Sequence, residues 1–160
     1  MNEFKNSTIL SIKDIREVNR HLYLKTPLYL VLYAVCILSI ISRLIDYFVY
    51  NVVNLSATIP FLLALVAMFI VFVTNSKNMY KETLSENGNP IEYNYSLENG
   101  VITLHTSSGD EKSLPLNEIY KSFETKNCFT IRCRDGSFFI IKKNGFTLGT
   151  AEDFKKVFKG

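Results

Sequence analysis

Two long stretches without charged residues constrain what this chain of 160 residues can fold into more than any other feature. The first, Pro27–Ser42, reads PLYLVLYAVCILSIIS. Between Pro27 and Val73 the only charged residues are Arg43 and Asp46, whereas residues 75–160 carry 12 Lys or Arg and 11 Asp or Glu. The chain is therefore predicted to divide into an apolar helical part and a polar part of different structure, in the α+β class.

The second stretch is long enough to cross a membrane without help from its neighbours. Leu55–Val73, LSATIPFLLALVAMFIVFV, contains no charged residue. At 1.5 Å per residue its helix would be roughly 28 Å long, close to the ~30 Å hydrocarbon thickness of a bilayer. Pro60 falls near the predicted start, where a missing backbone donor costs little. We predict a transmembrane helix here.

The first stretch reaches the same length only if its helix continues through Arg43 toward Tyr50. Arg43 and Asp46 then lie near one end of the span, three residues apart, where they can pair. A long Arg side chain can reach the headgroups, and Tyr47 suits the same level. We interpret Arg43 and Asp46 as a membrane-interface pair. The alternative is an ion or proton site inside the membrane, which ionisable residues in spans often mark.

The orientation of this hairpin is predicted from the basic residues that flank it. They lie on both sides of residues 27–75, at Lys5, Lys13, Arg16, Arg20, Lys25, Lys77 and Lys81. Basic residues near spans stay on the cytoplasmic side. Both termini are therefore expected in the cytoplasm, in a multi-pass protein of the inner (cytoplasmic) membrane. The short turn around Asn51 to Ser56 predicts that the two helices are antiparallel neighbours.

Residues 1–26 are predicted to form a cytoplasmic amphipathic helix over Ser11–Lys25. Its apolar side chains recur at helical spacing, and Ser11 is a candidate N-cap with Asp14 three residues later. A basic face opposite the apolar one would meet anionic lipid at the membrane surface. The alternative is that the helix packs on the polar domain.

Residues 76–90 read as a polar linker, and residues 91–160 as a small sheet closed by a helix. Alternating apolar and polar residues between turn signals predict the strands. They lie at Ile91–Leu97, Val101–Thr106, Lys112–Leu116, within Asn117–Lys126, Cys128–Cys133 and Ser137–Lys142. Thr150–Lys159 is predicted to be a terminal helix with Thr150 as N-cap. This order predicts a mostly antiparallel sheet or partial barrel of the pleckstrin-homology-like kind, and Asn89–Gly160 is expected to fold alone.

No catalytic, cofactor-binding or metal-binding motif is recognisable in the sequence. Cys36, Cys128 and Cys133 do not have metal-site spacing, and no carboxylate or cysteine stands at ligand spacing in the sequence around His21 or His105. Phosphate-binding glycine loops and nucleophile motifs are also missing. The formal net charge of +3 is too small for a nucleic-acid-binding footprint. We therefore expect no enzyme, no cofactor, no nucleic-acid partner and no small-molecule substrate.

A group of basic residues in the polar half is the one candidate binding surface. Arg132, Arg134, Lys142 and Lys143 are candidate contacts to an anionic surface. Strand alternation places Arg132 and Arg134 on one face with Cys128 and Thr130, predicted to point away from the core. The alternative is that these charges are solvated and protect a strand edge from aggregation.

A family resemblance rests on the stretch LNEIYKSFETKNCFTIRCRDGSFFIIKKNGFTLGTAEDFKKVFK, from Leu116 to Lys159. Together with a preceding helix and two-span hairpin, it resembles the bacterial YcxB-like membrane proteins. The resemblance implies a membrane hairpin and a cytoplasmic pleckstrin-homology-like domain. It supplies no catalytic residues.

Three functions are open at this point. The leading hypothesis is a membrane-anchored, non-enzymatic binding or regulatory module at the inner membrane face. The alternative is an accessory or structural subunit of a larger membrane transport complex, and a third is an ion or proton pathway through Arg43 and Asp46. The expected partners are the lipid bilayer and either another protein or a second copy of the chain.

Overall fold

The computed structural model describes residues 3–51 and 55–158. Residues 52–54, which form most of the predicted turn between the apolar helices, lie outside the described residues. The chain divides into two compact units. Residues 1–18 and 79–160 form one, here named the sheet unit, and residues 19–78 form the other, named the helical unit. The predicted α+β class is confirmed.

The helices and strands follow one another in an order close to the predicted one. They are β1 (Phe4–Ile9), α1 (Ile12–Lys25), α2 (Pro27–Tyr50), α3 (Leu55–Lys81), β2 (Glu92–Glu98), β3 (Val101–Thr106), β4 (Glu111–Pro115), β5 (Ile119–Glu124), β6 (Cys128–Cys133), β7 (Phe138–Lys142), β8 (Phe146–Leu148) and α4 (Ala151–Val157). Single 3₁₀ turns at Leu116–Glu118 and Lys143–Gly145 precede β5 and β8.

The first apolar helix, α2, continues past Arg43 as predicted. Pro27 stands in its first turn, where the chain needs no backbone donor. Its end is set by Asn51, which adopts a left-handed conformation with φ 52° and donates its backbone N–H to the carbonyls of Asp46 and Tyr47. In α3, which begins at the predicted Leu55, Pro60 lies inside the helix as its sixth residue.

Both apolar helices expose their side chains instead of packing them in a protein core. They are long and apolar enough to cross a membrane, and in the most apolar 18-residue windows only 6% of α2 and 0% of α3 is buried. Cys36 is the buried side chain of α2. The core helix of a soluble protein would be mostly buried, so these two helices lack the packing that a water-soluble fold would give them.

Within the helical unit, the second half of α1 packs against α3 through polar and aromatic contacts. Asn19 donates its side-chain N–H to the hydroxyl of Ser76 at 2.8 Å, and both side chains are buried. Asn75 donates in the same way to the Tyr23 hydroxyl at 2.6 Å. The Tyr23 ring meets Phe72 edge-on, with 5.7 Å between centroids.

The sheet unit contains two antiparallel sheets. One has five strands in the order β4-β3-β2-β1-β8, and the other has three in the order β5-β6-β7. Strand β1 pairs with β2 along its whole length and with β8 on its other side. Neither β1 nor β8 is predicted from the sequence. The designation pleckstrin-homology-like stays a prediction.

An aromatic core lies between the sheets and α4. Phe154 of α4 is 3% exposed and stands at its centre. Its ring lies 4.9–5.6 Å from those of Phe4, Phe129, Phe146 and Phe158. The predicted N-cap is confirmed, because the Thr150 hydroxyl accepts the backbone N–H of Asp153 at 3.1 Å.

Candidate interaction surfaces

The three-stranded sheet turns one face to the core, and its other face, here named the outer face, is only partly covered. Three cross-strand pairs of β6 and β7 residues lie in order along this face: Cys128 with Lys142, Thr130 with Ile140, and Arg132 with Phe138. Cys128 and Thr130 are completely buried, whereas Arg132 and Phe138 are exposed. The expectation that Cys128 and Thr130 point outward to solvent with Arg132 is therefore wrong for the first two.

The first half of α1 and strand β1 hold the buried end of the outer face. Asp14 forms an ion pair with Lys142 at 3.1 Å, and Glu17 accepts the backbone N–H of Asn127 at 2.8 Å. The backbone N–H of Lys142 donates to the Thr8 hydroxyl at 3.0 Å. These contacts support the alternative in which the N-terminal helix packs on the polar domain. Whether the rest of the helix meets lipid stays a prediction.

The predicted capping of α1 by Ser11 is confirmed, and the same contacts hold the Asp14 carboxylate in place for its ion pair with Lys142. The backbone N–H and the hydroxyl of Ser11 both donate to the Asp14 carboxylate, at 2.9 and 2.7 Å. Burial opposes ionisation of this carboxyl most strongly, but these hydrogen bonds and Lys142 outweigh it and lower the pKa of Asp14. Burial raises the pKa of the neighbouring Cys128 thiol to about 12, which leaves it unreactive near neutral pH.

The uncovered end of the outer face is an aromatic and basic surface, here named the Arg132 patch. Its residues are Tyr120, Lys121, Arg132, Arg134 and Phe138. The guanidinium of Arg132 lies 5.5 Å from the centroid of the Phe138 ring and 5.8 Å from that of Tyr120. The Tyr120 side chain is 67% exposed and Phe138 is 39% exposed. An irregularity in the β5–β6 register between Ile119 and Lys121 brings Tyr120 beside Arg132.

Within the part of the chain that the structure describes, the cations of this patch form no ion pair with an acidic residue. Lys121 pairs directly with Arg132 across β5 and β6, so two like charges face each other. Arg134 follows at the same end of β6, and its backbone N–H donates to the carbonyl of Glu118 at 3.2 Å. Among the described residues, no carboxylate forms an ion pair with Lys121, Arg132 or Arg134.

Lys142 and Lys143 do not extend the Arg132 patch. Four residue steps separate Arg132 from the position paired with Lys142, which is roughly 13 Å along the strand. Lys142 is bound to Asp14, and Lys143 forms an ion pair with Glu124 at 2.6 Å and lies 5.3 Å from the Phe129 ring centroid. The structure therefore brings together two of the four predicted contacts, Arg132 and Arg134, and places the other two in structural ion pairs.

A cavity of about 210 Å³ lies between β5 and α4. Its lining residues are Ser122, Phe123, Glu124, Phe129, Ile131, Lys155 and Phe158. Glu124 closes one side with ion pairs to Lys143 at 2.6 Å and Lys155 at 2.5 Å, and these hydrogen bonds lower the pKa of Glu124. The cavity is smaller than the ~300–1,000 Å³ of typical small-molecule sites.

The structure also locates the residues considered for ion transport and metal binding. Arg43 and Asp46 form an ion pair with each other at 3.1 Å, both partly exposed. His105 faces Glu111 across two strands at 3.6 Å. Within residues 3–51 and 55–158, no group of three or more His, Cys, Asp or Glu is arranged to hold a metal ion. All three cysteines are free and buried.

Comparison with known proteins finds a family match for part of the sheet unit. No curated protein and no solved structure matches the chain. The family described as YcxB-like protein does match, over residues 97–158, which run from the end of β2 through α4. The resemblance inferred from Leu116–Lys159 is thereby confirmed, because residues 97–158 of this chain match the model of the YcxB-like protein family.

Proposed function

We propose that this protein is a membrane-anchored, non-enzymatic binding or regulatory module, with α2 and α3 inserted as a hairpin and the sheet unit at the inner membrane face. One observation carries this proposal: almost no part of the apolar windows in α2 and α3 is buried. In water such a surface would drive aggregation, whereas in a bilayer it is solvated by lipid.

The charge distribution supports an orientation with both termini in the cytoplasm. Five basic residues precede Pro27, and Lys77 and Lys81 follow the most apolar part of α3. Near the connection between the helices Arg43 is the one basic residue, and it is paired with Asp46. Basic residues close to spans favour the cytoplasmic side, so this asymmetry predicts a hairpin that enters and leaves from the same side.

A binding role, rather than catalysis, is supported by how the charged groups of the sheet unit are used. Asp14, Glu124 and Asp135 each form an ion pair with a lysine of the same unit. Such pairs hold structural elements together, and with the neighbouring hydrogen bonds, those from Ser11 in the case of Asp14, they lower the pKa of each of these carboxyls. A general base poised for proton transfer near neutral pH would need the opposite shift.

Extraction of bacterial membranes tests the anchor. The full chain is expected to stay in the membrane after alkaline carbonate treatment and to leave it only with detergent. Changing Leu63 and Val66 of α3 to Lys should weaken this retention, because each charge at mid-bilayer costs about 3 kcal/mol in insertion and α2 alone would then anchor the chain. The matched control, Leu63→Ile with Val66→Leu, should behave as the unaltered chain. Release of the unaltered chain by carbonate would refute the anchor.

Cysteine labelling tests the orientation. Variants with one added cysteine, in place of Lys5, Asn51 or Glu152, would be treated with a membrane-impermeant maleimide outside intact cells, while the three native cysteines are buried. We expect labelling at Asn51→Cys in intact cells, and at the other two positions only after lysis. Labelling of the Glu152→Cys variant in intact cells would contradict the cytoplasmic placement of the sheet unit.

A second candidate function is an accessory or structural subunit of a larger membrane complex. The exposed faces of α2 and α3 favour it, because partner helices can cover such faces as well as lipid can. In this case the hairpin would determine the partner. Replacing residues 27–78 by an unrelated two-span hairpin should then abolish co-purification in mild detergent, and retained co-purification would argue against this candidate.

A further inference from the structure

We propose that the Arg132 patch binds the phosphate groups of anionic lipids at the membrane surface. The inference rests on the proposed membrane anchor and adds to it a partner and a binding surface. The proposed binding surface keeps Arg132 and Arg134 of the four basic residues predicted from the sequence. It adds Tyr120, Lys121 and Phe138, which the structure places beside them.

The local charge of this surface calls for an anion. Lys121 and Arg132 are exposed cross-strand neighbours of like charge, and Arg134 adds a third cation at the same end of β6. Asp135 is adjacent to Arg134 in the sequence. Asp135 is already bound by Lys112 at 2.8 Å and by the Ser137 hydroxyl at 2.7 Å. A phosphate placed between the cations would relieve their repulsion. The planar guanidinium of an arginine can donate two parallel hydrogen bonds to its oxygens.

The aromatic residues favour a lipid surface over an acidic protein as the source of the phosphate. Tyr120 and Phe138 remain exposed on both sides of Arg132, with their rings close to the guanidinium. Aromatic rings are enriched at the membrane–water interface, where apolar bodies enter the lipid and polar groups stay hydrated. The chain also contains two helices that could place it in a bilayer.

The basic residues of β6 and β7 differ in whether an acidic residue binds them, and Lys142 is the clearest case. It lies on the same outer face but is bound to Asp14 of α1, and Lys143 is bound to Glu124. The end of the face that carries Arg132 has no such acidic cover among the described residues. The basic residues of β6 and β7 therefore separate into structural cations and cations available to a ligand.

The chain contains no tryptophan, so a single substitution gives an unambiguous fluorescent probe. Phe138→Trp would report on the patch. Leu148→Trp, at a position of similar exposure (43% against 39%) on β8, is the matched control. The full-length variants would be reconstituted into nanodiscs of zwitterionic lipid, or of the same lipid with anionic phosphatidylglycerol, each carrying brominated acyl chains that quench tryptophan at close range.

We expect quenching of Trp at position 138 to be greater in anionic than in zwitterionic nanodiscs, with no such difference at position 148. Adding Arg132→Gln and Arg134→Gln to the Phe138→Trp chain should remove the difference, because each cation near an anionic surface is worth roughly fivefold in the contact equilibrium. Raising the salt to about 1 M should do the same, since it shortens the Debye length from about 10 Å to about 3 Å. Both arginines are exposed, so circular dichroism should show unchanged folding.

Three results would overturn the inference. Equal quenching at position 138 in both lipids is one, and an anionic preference that survives Arg132→Gln with Arg134→Gln is another. The third is a shift of the position-138 emission with polyglutamate but not with anionic lipid, which would identify an acidic protein segment as the partner. Carbonate release of the unaltered chain refutes the anchor itself. Carbonate retention without a lipid preference at position 138 refutes only this inference.

Discussion

At the scale of single residues, Lys142 and Arg132 show how one neighbour changes the use of a charge. Both project from the outer face of the three-stranded sheet, four residue steps apart. Asp14 of α1 forms an ion pair with Lys142, so this lysine stabilises the fold and is not available to a ligand. Arg132 instead lies close to two aromatic rings and pairs across the strands with another cation. Strand alternation correctly predicts that Arg132 faces outward, but it cannot predict which end of the face a remote helix covers.

We expect Asp14→Asn to destabilise the sheet unit. The change keeps the shape of the side chain and removes its charge, which weakens two hydrogen bonds from Ser11 and the ion pair with Lys142. A loss of about 2 kcal/mol, or roughly 10 °C in Tm, is expected at pH 7. Lys156→Gln, which breaks an exposed pair with Asp153, should leave Tm nearly unchanged.

The same substitution predicts a pH dependence. Because the pKa of Asp14 in the folded protein is lowered from 3.8, its ionised form stabilises the fold above about pH 4. This contribution is lost as the pH falls through the folded pKa. The Tm difference between the unaltered chain and Asp14→Asn should therefore be constant from pH 5 to 7 and shrink below pH 4. A difference that persists undiminished to pH 2 would contradict the role of the charge.

At the scale of elements, α4 joins the two sheets through one side chain. Phe154 contacts rings from β1, β6 and β8, so its removal affects both sheets. Phe154→Ala should lower the free energy of unfolding by about 3–5 kcal/mol, and Phe154→Leu by less, because more of the cavity stays filled. Thermal unfolding of the detergent-solubilised chain measures both. A smaller effect for Ala than for Leu would show that α4 does not close the core.

The elements that the sequence predicts well are those with a regular period. Strands β3 and β6 have the predicted boundaries and α4 agrees closely, because their apolar residues recur at the spacing of a strand or helix. Helix α2 also agrees closely, because a long run without charge predicts it by length. Strand β1 was missed because its buried positions are Phe4, Asn6 and Thr8, two of them polar. Asn6 and Thr8 are buried because they hydrogen-bond each other and the backbone of Lys142. A local sequence pattern cannot predict hydrogen-bond partners that lie more than 130 residues away in the chain.

At the scale of the whole molecule, the sheet unit is built from two distant parts of the chain. Residues 79–160 supply most of it, and β1 completes the five-stranded sheet from before the apolar hairpin. Gly145 helps to fix this strand, because a Cβ added there would overlap the carbonyl oxygen of Ser7. The expectation that Asn89–Gly160 folds alone therefore conflicts with the topology, since that fragment would leave β2 and β8 unpaired on the sides facing β1.

This topology makes a prediction about how the unit can be isolated. A fragment of residues 79–158 should be unfolded or aggregated, because it exposes two strand edges and the cavity left by Phe4. A permuted chain, in which residues 79–158 are followed by a long Gly/Ser linker and then residues 3–25, should restore β1 and fold without α2 and α3. Its NMR spectrum should be well dispersed and its thermal unfolding cooperative. The matched control carries Phe4→Asp in the permuted chain and should lose both properties, because a charge would then be buried in the aromatic core. If residues 79–158 alone unfolded with the same Tm as the permuted chain, β1 would contribute nothing to stability.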